Sequence, residues 1–219
     1  MLLKFKINKE FILKKLIILL LILLAFVLAF PNVISKVFTS INAIGTVETP
    51  APPLVISART QIGKTLIYDP DYVKLSYPNG DIPLKRGVCT DVVIRALRDA
   101  KKIDLQKEVH EDMLKAFSSY PKNWGAKGTD KNIDHRRVPN LKTYFKRKGY
   151  ALPITKNPKD YRAGDIVTCK VNGLAHIMLV SSRQNFDDAT PYVIHNFGFG
   201  TLENNQLFSF PIDGHYRIK

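Results

Sequence analysis

Asp165-Ile166-Val167-Thr168-Cys169-Lys170-Val171, His176-Ile177-Met178-Leu179-Val180-Ser181 and Tyr192-Val193-Ile194-His195-Asn196 decide the fold. Each run is rich in β-branched residues, and Asn172-Gly173 and the acidic stretch at Asp187-Asp188 separate them. They predict consecutive antiparallel strands, with Gly214 to Lys219 as a candidate last one. Upstream the period becomes helical. Cys89 to Ala100 puts Val92, Val93, Ala96, Leu97 and Ala100 on one face, and Asp104 to Phe117 aligns Leu105, Val109, Met113 and Phe117. Pro139 to Lys148 has proline at its start and Gly149 just past its end, the usual asymmetry of helix termini. A short amphipathic helix from Leu54 stops at Gly63, and residues 69–88, with Pro70, Pro78, Gly80 and Pro83, read as a long loop. Helices followed by a meander predict an α+β fold, N-terminal helices packed on an antiparallel sheet.

One N-terminal hydrophobic segment precedes that domain. Lys4, Lys6, Lys9, Lys14 and Lys15 lead into an uninterrupted apolar run from Leu16 to Phe30. A basic flank before such a run is the pattern of a secretory signal, and the lysines stay on the cytoplasmic side. Residues 1–45 are therefore expected to be a cytoplasmic basic flank plus a signal peptide or inner-membrane anchor. The rest is expected to be exported and extracytoplasmic. No small-x-small cleavage site follows Phe30, which favours retention as an anchor over release. Residues 46–53 read as a Pro-rich linker, and residues 54–219 as one domain.

The chain of 219 residues has a formal net charge of +14. Without residues 1–45 the balance is +9. A basic exported domain suits an anionic envelope polymer, and export argues against nucleic acid. A monomer is expected. Two cysteines are too few for a disulfide scaffold, although a Cys89–Cys169 bridge is possible in an oxidising compartment. His176, His195, His215 and Cys169 lack the short paired spacing of zinc ligands, so neither metal nor cofactor is expected.

Chemistry concentrates at Cys89, His176 and His195. Cys89 opens a helix, where the macrodipole lowers a thiol pKa and backbone N–H groups can hold an oxyanion. His176 starts one strand and His195 ends the next, so the two rings can lie side by side as base and orienter. The plainer reading makes Cys89 a small buried hydrophobe and both histidines structural.

Several segments resemble the NlpC/P60 superfamily of papain-like cell-wall peptidases: Gly87-Val88-Cys89-Thr90-Asp91-Val92-Val93, Ala163-Gly164-Asp165-Ile166-Val167, Ala175-His176-Ile177-Met178-Leu179-Val180 and Val193-Ile194-His195. More closely, Ala58 to Tyr216 resembles the DUF1287 family. The matching words are Tyr68-Asp69-Pro70 with Tyr72, Arg86-Gly87-Val88-Cys89-Thr90-Asp91, Tyr120-Pro121-Lys122-Asn123-Trp124, Ile133-Asp134-His135-Arg136-Arg137-Val138-Pro139-Asn140-Leu141 and Gly214-His215-Tyr216.

The superfamily resemblance implies a papain-like fold, Cys89 as nucleophile, His176 as base, His195 as third polar residue, and amide hydrolysis in peptidoglycan stem peptides. Asn196 is the alternative third residue, since alternation points residues 195 and 196 to opposite faces. The superfamily carries its acid before the cysteine; here Asp91 follows it and reads as a first-turn acid. Tyr68 stands where a tyrosine often precedes the nucleophile and can donate to a substrate carbonyl, or simply packs. Asp134, His135, Arg136 and Arg137 form a cluster that either binds substrate carboxylates or caps a helix. Trp124 lines a groove or covers the core. A non-catalytic wall-binding or envelope-assembly domain is the rival function.

Overall fold

The computed structural model describes residues 16–22, 25, 29, 30, 33 and 46–219. The expected membrane segment at residues 1–45 lies largely outside these. Among the described residues no helix is long and apolar enough to cross a membrane.

Strand β1 (Thr46–Glu48) and helix α1 (Pro53–Arg59) lead to the short strands β2 (Ile67–Tyr68) and β3 (Arg86–Gly87), which pair in parallel. Helices α2 (Cys89–Lys101), α3 (Leu105–Ala116) and α4 (Val138–Arg147) follow. The chain then turns to β4 (Ile166–Val171), β5 (Leu174–Asn185), β6 (Pro191–Asn196), β7 (Thr201–Asn204) and β8 (Ile212–Tyr216). The main sheet runs β7-β6-β5-β4-β8, antiparallel throughout, and β1 pairs with the far end of β5. The α+β architecture expected from the sequence is therefore present. One boundary differs: residues 46–48 of the expected linker are a strand on β5, and Pro53 starts α1, where its missing N–H costs nothing.

Both faces of the sheet are buried, which accounts for near-continuous apolar strands where one wet face would impose alternation. On one face Ile166, Ile177, Leu179 and Ile194 pack against Val92, Val93, Ala96 and Leu97 of α2 and Leu54, Val55 and Ala58 of α1. On the other, Val167, Cys169, Met178, Val180 and Val193 pack with Tyr161 and Leu207. Cys89 and Cys169 are buried free thiols in these two separate clusters.

The start of α2 is fixed by charge. The Asp91 carboxylate accepts the Val88 N–H at 2.7 Å, capping the helix from its first turn. It also takes a two-pronged ion pair from Arg136, Nε to Oδ1 and Nη2 to Oδ2, both at 3.0 Å. Arg136 donates further to the carbonyls of Asp69 at 3.0 Å and Asp71 at 3.2 Å, so one guanidinium ties the Tyr68 segment to α2. Arg95 does the same for the long loop, bonding Asp81 and the carbonyls of Ile82 and Arg86. Gly87 lies under this network. A Cβ there would come within 3.2 Å of Arg95 Nη1 and 3.3 Å of Asp91 Cβ, so a side chain at the turn into Cys89 would press on the ion pair by a few tenths of an ångström.

Removing one partner of a buried pair strands the other charge. Arg136→Met is expected to lower stability by ~3–5 kcal/mol, and the Asp91→Asn/Arg136→Met double variant by less than the sum of the two single losses. Urea unfolding of the three variants measures this. A loss under ~1 kcal/mol for Arg136→Met would contradict the pair's role.

Candidate functional site

Cys89 is the first residue of α2, and the Thr90 and Ile177 N–H groups and the Tyr68 hydroxyl lie near enough to its sulfur to favour a thiolate. The Ile177 contact locates the thiol. Residues of β5 pair with β6 only from Leu179 onward, so the Ile177 N–H falls beyond the paired stretch, where β6 has left β5 for β7. The Cys89 sulfur takes the place of a strand acceptor at that edge. Tyr68 arrives through the β2–β3 pairing, in which it stands opposite Gly87.

His176 is the residue immediately before Ile177. Alternation puts its ring on the face of Met178 and Val180, and puts His195 on the face of Val193. There His176 Nε2 meets His195 Nδ1 at 2.8 Å, and His195 Nε2 meets Asn204 Oδ1 at 3.0 Å. The tautomers follow from the end of this chain. An amide oxygen only accepts, so His195 carries its proton on Nε2 and offers the Nδ1 lone pair. His176 must then donate from Nε2, which leaves a lone pair on its Nδ1. That nitrogen makes no hydrogen bond among the described residues. Burial, reinforced by the mutual proximity of the rings, lowers His176 to about 3, and burial lowers His195 to about 4 despite the Asn204 bond. Both rings are neutral at pH 7. Phe197 stands edge-on to His176, with ring centroids 5.5 Å apart.

Two expectations about Cys89 are corrected. The thiol pKa is not depressed: burial, with the Asp91 charge adding, pushes it up to about 11 against three donors to the sulfur. The same burial, with Cys89 beside it, raises Tyr68 to about 12. No hydrogen bond joins Cys89 to His176 among the described residues; the sulfur is occupied by Tyr68 and the two N–H groups.

The alternative third residue lies apart from His176. Asn196 faces the helix side, where its Nδ2 donates to the Gly87 carbonyl at 2.9 Å and its Oδ1 accepts the Gly198 N–H. It braces the turn before Cys89 and does not touch His176. Asn204 was not singled out by the sequence reading, because β7 is a four-residue strand with only Leu202 as an apolar signal.

An open cleft of about 360 Å³ leads to the sulfur, lined by Tyr68, Cys89, Trp124, Arg136, Arg137 and Ala175 among others. Tyr68 and Trp124 are thus brought to Cys89 as the sequence suggested. Asp134 and His135 are not. Asp134 accepts the Asp130 N–H and is held by burial above the usual carboxylate range, while His135 is buried and lowered to about 3. Arg136 reaches the cleft wall, but its donors are committed to Asp91, Asp69 and Asp71. Three or more His, Cys, Asp or Glu side chains suited to a metal ion do not converge among the described residues.

The family model described as "Domain of unknown function (DUF1287)" matches residues 55–218. A protein of Escherichia coli (strain K12), "Uncharacterized protein YijF", is 59% identical over 161 residues, covering 73% of this chain and 78% of that protein. No solved structure matches the chain. The match spans α2 to α4, β2 to β8 and every residue of the Cys89 cleft, and the chain belongs to the DUF1287 family.

Proposed function

We propose that this chain is a cysteine hydrolase of amide bonds in peptidoglycan stem peptides, with a papain-like arrangement of Cys89, His176 and His195. The observation that carries the reading is the Asn204–His195–His176 relay. It ends in a free Nδ1 on His176, the neighbour of Ile177, whose N–H lies by the Cys89 sulfur; strand neighbours face opposite ways, so in this reading the His176 ring swings round the sheet edge to reach the thiol.

In this mechanism the Cys89 thiol attacks the amide carbonyl as His176 Nδ1 takes its proton. The tetrahedral oxyanion is met by the Tyr68 hydroxyl, which turns from the sulfur to the oxygen, and by backbone N–H groups at the start of α2. His176 then protonates the leaving amine, and water deacylates Cys89 by the reverse transfer. A neutral thiol and a neutral imidazole are the starting pair, because the Cys89 and His176 pKa values stand far apart in the unreactive order. The membrane anchor or signal and the net positive exported domain fit action at the cell envelope, on an anionic wall polymer.

A second reading has one observation in its favour. A thiol held at about 11 with no bond to an imidazole suits a wall-binding or envelope-assembly domain that keeps the fold without turnover. Mass spectrometry of peptidoglycan incubated with the full chain separates the two. The hydrolase reading expects new stem-peptide fragments that vanish in Cys89→Ala. It also expects a roughly 10²–10⁴-fold slower release in His176→Ala than in the native chain, the span of general-base catalysis. Asn204→Ala should reduce the rate less, because it frees a tautomer without removing the base. No fragments from the native chain would favour the binder.

The raised thiol pKa has its own signature. Iodoacetamide labels thiolate, so Cys89 labelling should be slow at pH 7 and accelerate about tenfold per pH unit toward pH 10, below its pKa. His176→Ala should leave that slope unchanged, since the imidazole is already neutral above about pH 3. Fast, pH-independent labelling at pH 6 would show a resting thiolate–imidazolium pair and contradict the neutral starting state.

A further inference from the structure

We propose that Arg137 is the specificity residue of the Cys89 cleft, reading a free carboxylate on the peptide beside the scissile amide. The proposal rests on the hydrolase reading for the chemistry at Cys89, but its own evidence is the charge of the cleft.

No carboxylate side chain lines the cleft, whereas two guanidiniums do. The two arginines are consecutive in sequence and opposite in state. Arg136 is buried, and its fork is closed on Asp91 and two carbonyls. Arg137 is half-buried and pairs with no carboxylate among the described residues. Asp134 feels its charge but spends its carboxylate on the Asp130 N–H. Instead the Arg137 guanidinium lies over the Trp124 ring, 4.0 Å from the centroid.

Stacking of this kind holds a guanidinium plane without consuming its N–H donors. The five donors keep the flat two-pronged edge that matches a carboxylate. Trp124 is itself 63% exposed, so its outer edge and the cation form one surface at the mouth of the cleft. A cation half removed from water, with no anion of its own and a stacked ring fixing its plane, favours an anionic ligand. In a peptide substrate that group is a terminal or side-chain carboxylate.

The test separates this assignment from the hydrolase reading. The full chain carrying Cys89→Ala, in detergent micelles, is titrated calorimetrically with a synthetic stem tetrapeptide bearing free carboxylates and with the same peptide carboxamidated throughout. The free acid should bind roughly 10- to 100-fold tighter, the range of a charge-assisted two-pronged contact. Arg137→Ala should erase the preference, and Arg137→Lys should keep only part of it, having charge without the fork. Trp124→Ala should weaken the preference by freeing the guanidinium. Equal binding of the two peptides, binding of neither, or an undiminished preference in Arg137→Ala would overturn the assignment. A preference that depends on Arg137, in a native chain that releases no fragments, would uphold this site and sink the hydrolase reading instead.

Discussion

The buried Asp91–Arg136 ion pair is the interaction on which the rest of the site depends. Its carboxylate caps the helix that Cys89 opens, and its guanidinium holds the chain on either side of Pro70 through the Asp69 and Asp71 carbonyls. Tyr68, one residue earlier, is thereby set against the sulfur. The same arginine precedes Arg137, so the Cys89 thiol, the Tyr68 hydroxyl and the cleft cation are referred to one pair of charges. Taking two charges out of water costs several kcal/mol per ion, so such a pair persists only where its lone pairs and N–H groups are met. Here they are met by backbone groups of two separate segments, residues 69–71 and Val88, which converts an expensive pair into a geometric anchor.

The unreactive protonation state comes first from burial, and at Cys89 the anchor adds to it. The Asp91 carboxylate that starts the helix is two residues from Cys89, and its field opposes a thiolate that the helix terminus favours. Burial adds to the carboxylate's effect and outweighs the three donors. The histidines are driven the other way by the same cause, loss of water. Ionisation of the pair is thus costly at both ends. In the proposed hydrolysis, proton transfer coupled to attack avoids forming both charges in advance, and the Asn204 oxygen supports it by fixing both tautomers.

Much of the frame was legible in the sequence. The faces of α2, α3 and α4 follow from apolar residues at helical spacing, and three of the strands from β-branched runs between turn residues. The adjacency of His176 and His195 followed from their places at opposite ends of neighbouring antiparallel strands. What escaped reading was long-range. Arg136 meets Asp91 across 45 positions, and no local pattern distinguishes its committed guanidinium from the open one of Arg137. β1 hid in a Pro-rich stretch because three residues carry no period. Asn204 hid in β7 for the same reason, which left the relay without its fixed end. The thiol pKa was misjudged because the helix dipole is a local effect visible in sequence, while burial beneath Tyr68 and β5 is not.

The central claim is that Cys89 becomes acylated with His176 Nδ1 as base. Intact-mass spectrometry of the full chain, acid-quenched during incubation with soluble stem peptides, tests it most directly. The account predicts a transient adduct with the mass of the acyl fragment, mapped to Cys89, absent in His176→Ala and longer-lived when deacylation is slowed at low pH. Stem-peptide cleavage that persists in Cys89→Ala, or an adduct that forms at the native rate in His176→Ala, would contradict it.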